Sequence, residues 1–246
     1  VDAIKNVAFI EKEVKEFLHD AKQKLKINFG KMSYLAQVEF QRTLFASDEY
    51  YSNSLVLNDF DTITRDQLIQ FHESHYLKGL SKVVVVGNIE EDVISKVIDE
   101  CKEITLQTSP TFENTIENKK GEFYLEKDDA IQSAIRLGRI LFNKKHPDYL
   151  DFLVLNTIIG DYFGSRLMTN IREDKGYTYG IGSMLAEVNE FGYFLIATEV
   201  RKDVCANTLD EVKFEFNRLK NELVSEGEME LVKNYILGTF LRSIDG

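Results

Sequence analysis

The reading of this chain turns on one stretch: Gly164-Ser165-Arg166-Leu167-Met168-Thr169-Asn170-Ile171-Arg172-Glu173-Asp174-Lys175-Gly176-Tyr177-Thr178-Tyr179-Gly180. Gly164 and Ser165 offer an N-terminal cap, and Leu167, Met168 and Ile171 supply an apolar stripe. Lys175 and Gly176 are the residues that end a helix. Past Gly176 the chain turns to aromatic and β-branched residues, which suit a strand. The pattern predicts a short helix, a glycine stop and a strand. It places the guanidinium of Arg172 at the helix end, near the phenol of Tyr179 on the strand.

Composition bounds what surrounds this stretch. The 246 residues suffice for one large domain or two modest ones. With 43% hydrophobic and 29% charged residues the chain should fold, and its two prolines favour long regular elements. A net charge of −11 argues against nucleic acid or an anionic membrane surface as partner, and mildly favours a basic peptide. No apolar run approaches a membrane span. A soluble protein is expected, with cytoplasm and bacterial periplasm equally open. Cys101 and Cys205 suggest no disulfide framework, and each reads as a small buried residue. The chain opens on Val1, so a targeting segment cannot be judged from it.

Upstream of the central stretch, residues 4–26 read as one helix, with Ile10, Val14, Phe17, Leu18, Ala21 and Leu25 on one face. A second helix is expected near 31–46, and 47–61 is loop-like. Thr64 and Gln67 form a capping-box pair for a helix running to about His75. Lys82-Val83-Val84-Val85-Val86-Gly87 reads as a buried strand, followed by an amphipathic helix over 90–103. Residues 106–121 read as a polar linker. Beyond it, Phe123-Tyr124-Leu125 and Ile131–Ile140 read as strands, and Leu150, Leu153, Val154, Thr157 and Ile158 form a helix face ending at Gly160. Strands follow at about 177–187 and 191–200. Leu209, Val212, Phe216, Leu219 and Leu223 stripe a long helix, and Val232, Tyr235, Ile236 and Phe240 stripe the last.

These motifs resemble the zinc peptidase family of pitrilysin, insulin-degrading enzyme and the mitochondrial processing peptidases. The resemblance rests on Gly-x-x-x-Gly-Ser-Arg-Leu over Gly160 to Leu167, on Ile171-Arg172-Glu173, and on Gly176-Tyr177-Thr178-Tyr179-Gly180. Phe71-His72-Glu73-Ser74-His75-Tyr76, Val85-Val86-Gly87, Gln132 and Leu137-Gly138 extend it over nearly the whole chain. It implies an α+β fold of two related units, each a mostly antiparallel sheet covered on one face by long helices. The first unit, 1–105, resembles the back part of one family domain; 106–121 links it to the front part of the next, 122–246.

The resemblance also says what the chain lacks. A zinc peptidase needs three protein ligands, an open position for water and a general base. The family supplies its histidines through H-x-x-E-H, and no such motif occurs here. His72 and His75 could share a helix face, but His-Glu-Ser-His is not that motif and matches a structural helix end. The family's third ligand, a glutamate on a downstream helix, aligns with Asp20, one methylene too short. Either this domain is a non-catalytic one, or the register differs and Glu13 or Glu16 serves; a solvated acidic helix face is the plain alternative. Zinc is therefore expected outside this chain.

What the resemblance carries over is Arg172 and Tyr179, seven residues apart, as the pair that holds substrate backbone beside the bond to be cut. The implied function is the substrate-gripping half of a zinc metalloendopeptidase, with this chain alone inactive. The implied partners are an unfolded peptide or small protein and a catalytic half, in the same polypeptide or in a partner subunit. The alternative is a non-catalytic structural or scaffold member of the family.

Overall fold

The computed structural model describes residues 2–78, 82–102, 104, 120–188 and 191–245. The chain divides into two compact units, one made of residues 1–28 and 55–114, the other of 29–54 and 115–246. The expected linker at 106–121 lies almost wholly outside the described residues.

The first unit is helical among its described residues. Helix α1 spans Glu11–Phe29. The expected single helix over 4–26 is instead a turn at Asp2–Lys5, a break, and α1. The break falls where Phe9 takes a positive φ of 44°, a conformation that costs a non-glycine residue about 1 kcal/mol or more. The side chain of Arg65 donates to the freed Phe9 carbonyl. Helix α3, Arg65–Phe71, starts at the expected capping box: Gln67 N–H donates to Thr64 Oγ1 at 3.3 Å, and Thr64 N–H to Gln67 Oε1 at 2.8 Å. It continues as a wide π-helical turn, His72–Tyr76. Helix α4 spans Glu91–Cys101.

Residues 82–86 do not form the expected buried strand. No strand pairs with them among the described residues, and Val84 and Val86 are 73% and 87% exposed. An apolar β-branched run becomes a strand only when a neighbour takes its N–H and C=O groups. The same correction applies to Phe123-Tyr124-Leu125, which is exposed and unpaired.

In the second unit, helix α2 spans Met32–Leu44, and the stretch expected to be loop holds two single turns, Glu49–Ser52 and Asp59–Thr62, the latter in the first unit. A three-stranded antiparallel sheet follows, of β1 (Gln132–Leu141), β2 (Thr178–Val188) and β3 (Phe191–Arg201), ordered β1-β3-β2. Alternate residues of β3 serve opposite faces. Phe194 and Ile196 join Ile159, Leu167, Ile171, Ile181 and Val212 in the main core. Tyr193, on the other face, meets Phe40 and Phe45. The main-core face is covered by α5 (Tyr149–Asn156, extended by a π turn to Asp161), by α6 (Cys205–Asn221) and by the segment before β2. Helix α7 spans Glu226–Asp245.

Two details depart from the periodicity. On α6 the buried face runs through Thr208, Val212 and Glu215, and the helix ends at Asn221, which leaves the expected stripe residue Leu223 beyond it and 99% exposed. Cys101 and Cys205 are free and half-buried, not buried. The π turn after α5 presses against β2: a Cβ at Gly160 would lie 2.7 Å from the backbone nitrogen of Ser183.

Candidate functional site

The central stretch folds nearly as its residues dictate. Leu167 and Ile171 are fully buried against the sheet and anchor a helical segment whose second part, Met168–Asp174, is π-helical. Its start differs from expectation: Ser165 Oγ is buried and makes no capping bond. The Ser165 carbonyl takes part instead, accepting from Thr169 N–H at 2.9 Å. The segment ends at Gly176, φ +64°, the left-handed conformation that favours glycine. There Gly176 N–H donates to the Arg172 carbonyl at 3.2 Å and Tyr177 N–H to the Ile171 carbonyl at 3.0 Å.

Arg172 and Tyr179 come together. Arg172 Nε donates to the Tyr179 carbonyl at 3.0 Å, and its guanidinium carbon lies 4.8 Å from the centre of the Phe163 ring. Nη1 stands 3.7 Å from Glu173 Oε1, and neither terminal nitrogen makes a hydrogen bond among the described residues. The Tyr179 side chain packs in no core; the residue is 92% exposed.

A bulge presents Tyr179. The β2–β3 register shifts between Thr178 and Ile181, so Tyr179 and Gly180 fall out of the regular ladder. Bulges re-aim side chains at strand edges. Two hydroxyls hold this one: Thr178 Oγ1 donates to the Glu199 carbonyl at 2.6 Å and accepts from Gly180 N–H at 3.1 Å, and Thr198 Oγ1 donates to the Gly180 carbonyl at 2.9 Å. Strand β2 is at the edge of the sheet as described.

The other side of the segment carries a polar network that sequence reasoning missed. Arg166 donates to Glu228 of α7 through Nε at 2.7 Å and Nη2 at 2.8 Å, a fork-to-carboxylate pair. That bond holds the Glu228 carboxyl below its ordinary range and raises Arg166 further. Asn170 Nδ2 donates to Glu215 at 2.7 Å and to Glu211 at 3.0 Å, both on α6. Glu215 is 1% exposed and also accepts from Arg218 at 3.1 Å. These residues line a groove of about 870 Å³, which Arg172 and Tyr179 do not line. One signal in the sequence does point to Glu215. It stands three residues after Val212 and four before Leu219, at a core position of α6.

The histidines and acidic residues weighed as metal ligands do not converge. His72 Nε2 lies 2.6 Å from the Ile4 carbonyl, and His75 stacks on Phe71 at 4.3 Å. Glu13, Glu16 and Asp20 are exposed on α1, with Glu16 3.8 Å from Lys12. Among the described residues no three His, Cys, Asp or Glu side chains stand close enough to hold a metal, so the donor set does not fit a zinc ion.

Comparison with known proteins places this geometry. Residues 62–236 match the peptidase M16 inactive domain. The chain belongs to the peptidase M16 family. The M16 chain is 21% identical over 247 aligned residues to a protein of Bacillus subtilis named "Probable inactive metalloprotease YmfF", covering 99% of this chain and 58% of YmfF. It is 24% identical to the "Uncharacterized zinc protease YmxG" of the same organism over 184 residues, 73% of this chain and 44% of that protein. The crystal structure of a peptidase M16 inactive domain from Pseudomonas fluorescens superimposes with a TM-score of 0.81 at 21% identity, over 96% of this chain and 58% of that one. The expected α+β fold is therefore that of M16-like peptidases. The chain spans little more than half the length of these relatives. No helix among the described residues is long and apolar enough to cross a membrane.

Proposed function

We propose that this M16 domain supplies the substrate-gripping half of a zinc metalloendopeptidase whose metal is held elsewhere. The observation that carries the reading is the Arg172–Tyr179 arrangement. The guanidinium is fixed by its Nε bond and by the Phe163 ring; Nη1 stands 3.7 Å from Glu173, and neither terminal nitrogen makes a hydrogen bond among the described residues. The Tyr179 side chain is exposed on an edge strand whose carbonyl at that residue takes the Arg172 bond. Arginine offers donors in a fixed fork and stays charged, and a phenol adds one donor. Together they can hold peptide carbonyl oxygens and favour the charge that develops at a neighbouring carbonyl. The edge of β2 offers main-chain groups to an extended peptide, a mode that gives affinity with little sequence preference. The substrate class is an unfolded peptide or small protein, basic character being favoured by the acidic chain.

A second reading has support in the names of the matching family domain, called "inactive", and of YmfF, called "Probable inactive metalloprotease". In it the domain binds peptide or a partner subunit as a scaffold and no cleavage follows. Fluorescence anisotropy with a labelled unfolded basic peptide tests the shared first step. Wild-type chain should bind, and Tyr179→Phe and Arg172→Lys should weaken binding at unchanged melting temperature. Binding that ignores both substitutions would remove the Arg/Tyr grip from either reading.

A further inference from the structure

We propose that Glu211 is the positioning residue for Arg172, a role that rests on the gripping reading above. The segment bearing Arg172 contains a wide turn, closed by Lys175 N–H donating to the Asn170 carbonyl at 3.0 Å, five residues back. Such π turns are less well bonded than α-helix and persist where something outside holds them. Here the outside support comes from two carboxylates of α6, Glu215 and Glu211, and Glu211 is the one that reaches both ends of the turn. Glu211 Oε2 accepts from Asn170 Nδ2 at 3.0 Å, and Glu211 Oε1 lies 3.1 Å from Lys175 Nζ. The two residues that close the turn are thus gripped by the two oxygens of a single side chain. Glu211 stands on α6, which is fixed in the core through Val212 and tied again to Asn170 through Glu215.

Arg172 lies between the two gripped residues and has no bond to Glu211. Any influence passes through the backbone of the turn, from Asn170 and Lys175 to the position of the guanidinium over Phe163 and against the Tyr179 carbonyl. A carboxylate kept only for stability has little to offer here, because an apolar side chain can serve a helix interface as well. Both oxygens of Glu211 are used instead to hold the two ends of one turn, the turn that carries Arg172.

The test uses the whole chain with Glu211→Leu, Glu211→Gln, and Lys213→Gln as a control on the same helix. Three quantities are read at a temperature where each variant is folded: melting temperature, the NMR exchange rate of the Arg172 Nε–H, and affinity for a labelled unfolded basic peptide. Glu211→Leu should speed Nε–H exchange about tenfold, as the bond to Tyr179 opens more often. Peptide affinity should fall about tenfold as the guanidinium leaves its place. Lys213→Gln should change neither. If Glu211→Leu does not fold, Glu211→Gln decides, since the amide nitrogen that replaces one carboxylate oxygen can only donate and meets a donor on either partner. A lower melting temperature with wild-type Nε–H exchange and wild-type affinity would overturn the proposal. Should the wild-type chain bind no peptide, the gripping reading falls, and the Nε–H exchange alone decides whether Glu211 places Arg172.

Discussion

Arg172 Nε donates to the carbonyl of Tyr179 at 3.0 Å, while the side chain of Tyr179 stands in solvent. The bond joins a helix end to the first residues of an edge strand across the Gly176 turn. It uses the Tyr179 backbone and leaves the phenol free. A tyrosine kept for packing would be expected to face the core, as Tyr177 does beside Ile171. The Tyr179 phenol is instead exposed at a bulge whose backbone carbonyl takes the Arg172 bond.

At Ser183, strand β2 packs closely on the π turn at Gly160. A Cβ there would come within 2.7 Å of the Ser183 backbone nitrogen and 2.5 Å of its hydroxyl. Gly160→Ala should lower stability by about 1–3 kcal/mol, the usual cost of overpacking. Urea denaturation of the two proteins checks it, and an unchanged midpoint would show that β2 yields freely.

The Arg166–Glu228 pair should behave as a buried pair. The Arg166 side chain is 8% exposed, and its Nη1 has no partner even with Glu228 present. Glu228→Ala strands that cation and should cost about 3–5 kcal/mol, whereas Arg166→Met with Glu228→Leu should cost much less. Chemical denaturation of the three variants compares them.

The same pair sets a pH dependence. Arg166 depresses the folded-state pKa of Glu228, so the carboxylate's contribution is complete above its unfolded value, about 4.3, and is lost as pH falls through the folded value. Between pH 5 and 3, a window taken from roughly that reference pKa, wild type should lose more stability than Glu228→Gln. Equal acid sensitivity of the two would show that another carboxylate dominates.

The chain should hold no stoichiometric zinc, since no cluster of three metal-binding side chains exists among the described residues. Elemental analysis after incubation with zinc and dialysis measures this; one zinc retained per chain would reveal a ligand set that the described residues do not contain.

How much of this was legible in the sequence differs by element. The helix-stop-strand order at 164–180, the capping box at Thr64 and the strands at 132–141 and 191–201 come from local signals: periodicity, glycine and β-branched residues. The register of Arg172 to Tyr179 is also local, because only Gly176 and one neighbour on each side separate a helix end from a strand start. The run Lys82–Gly87 has the local pattern of a strand, but a strand is completed by its neighbour, and no local pattern reports whether one is present. Phe9 breaks a helix whose periodicity continues through it. The network of Arg166, Asn170, Glu211, Glu215 and Glu228 joins three segments up to 62 residues apart, and such pairings are set by tertiary packing. Only Glu215 left a trace, as a charge at a core position of α6.

The most direct test of the central claim is turnover and stability of Tyr179→Phe and Arg172→Lys in the native protein that carries this domain. If the pair grips substrate and the protein is an active peptidase, both variants should melt as wild type does. Their kcat on an unfolded peptide should fall, by roughly 10²–10³-fold for loss of a strong transition-state donor in Tyr179→Phe. Arg172→Lys should also be impaired, because an ammonium cannot reproduce the fork. Wild-type kcat per folded molecule in both variants, with or without a lower melting temperature, would contradict the account.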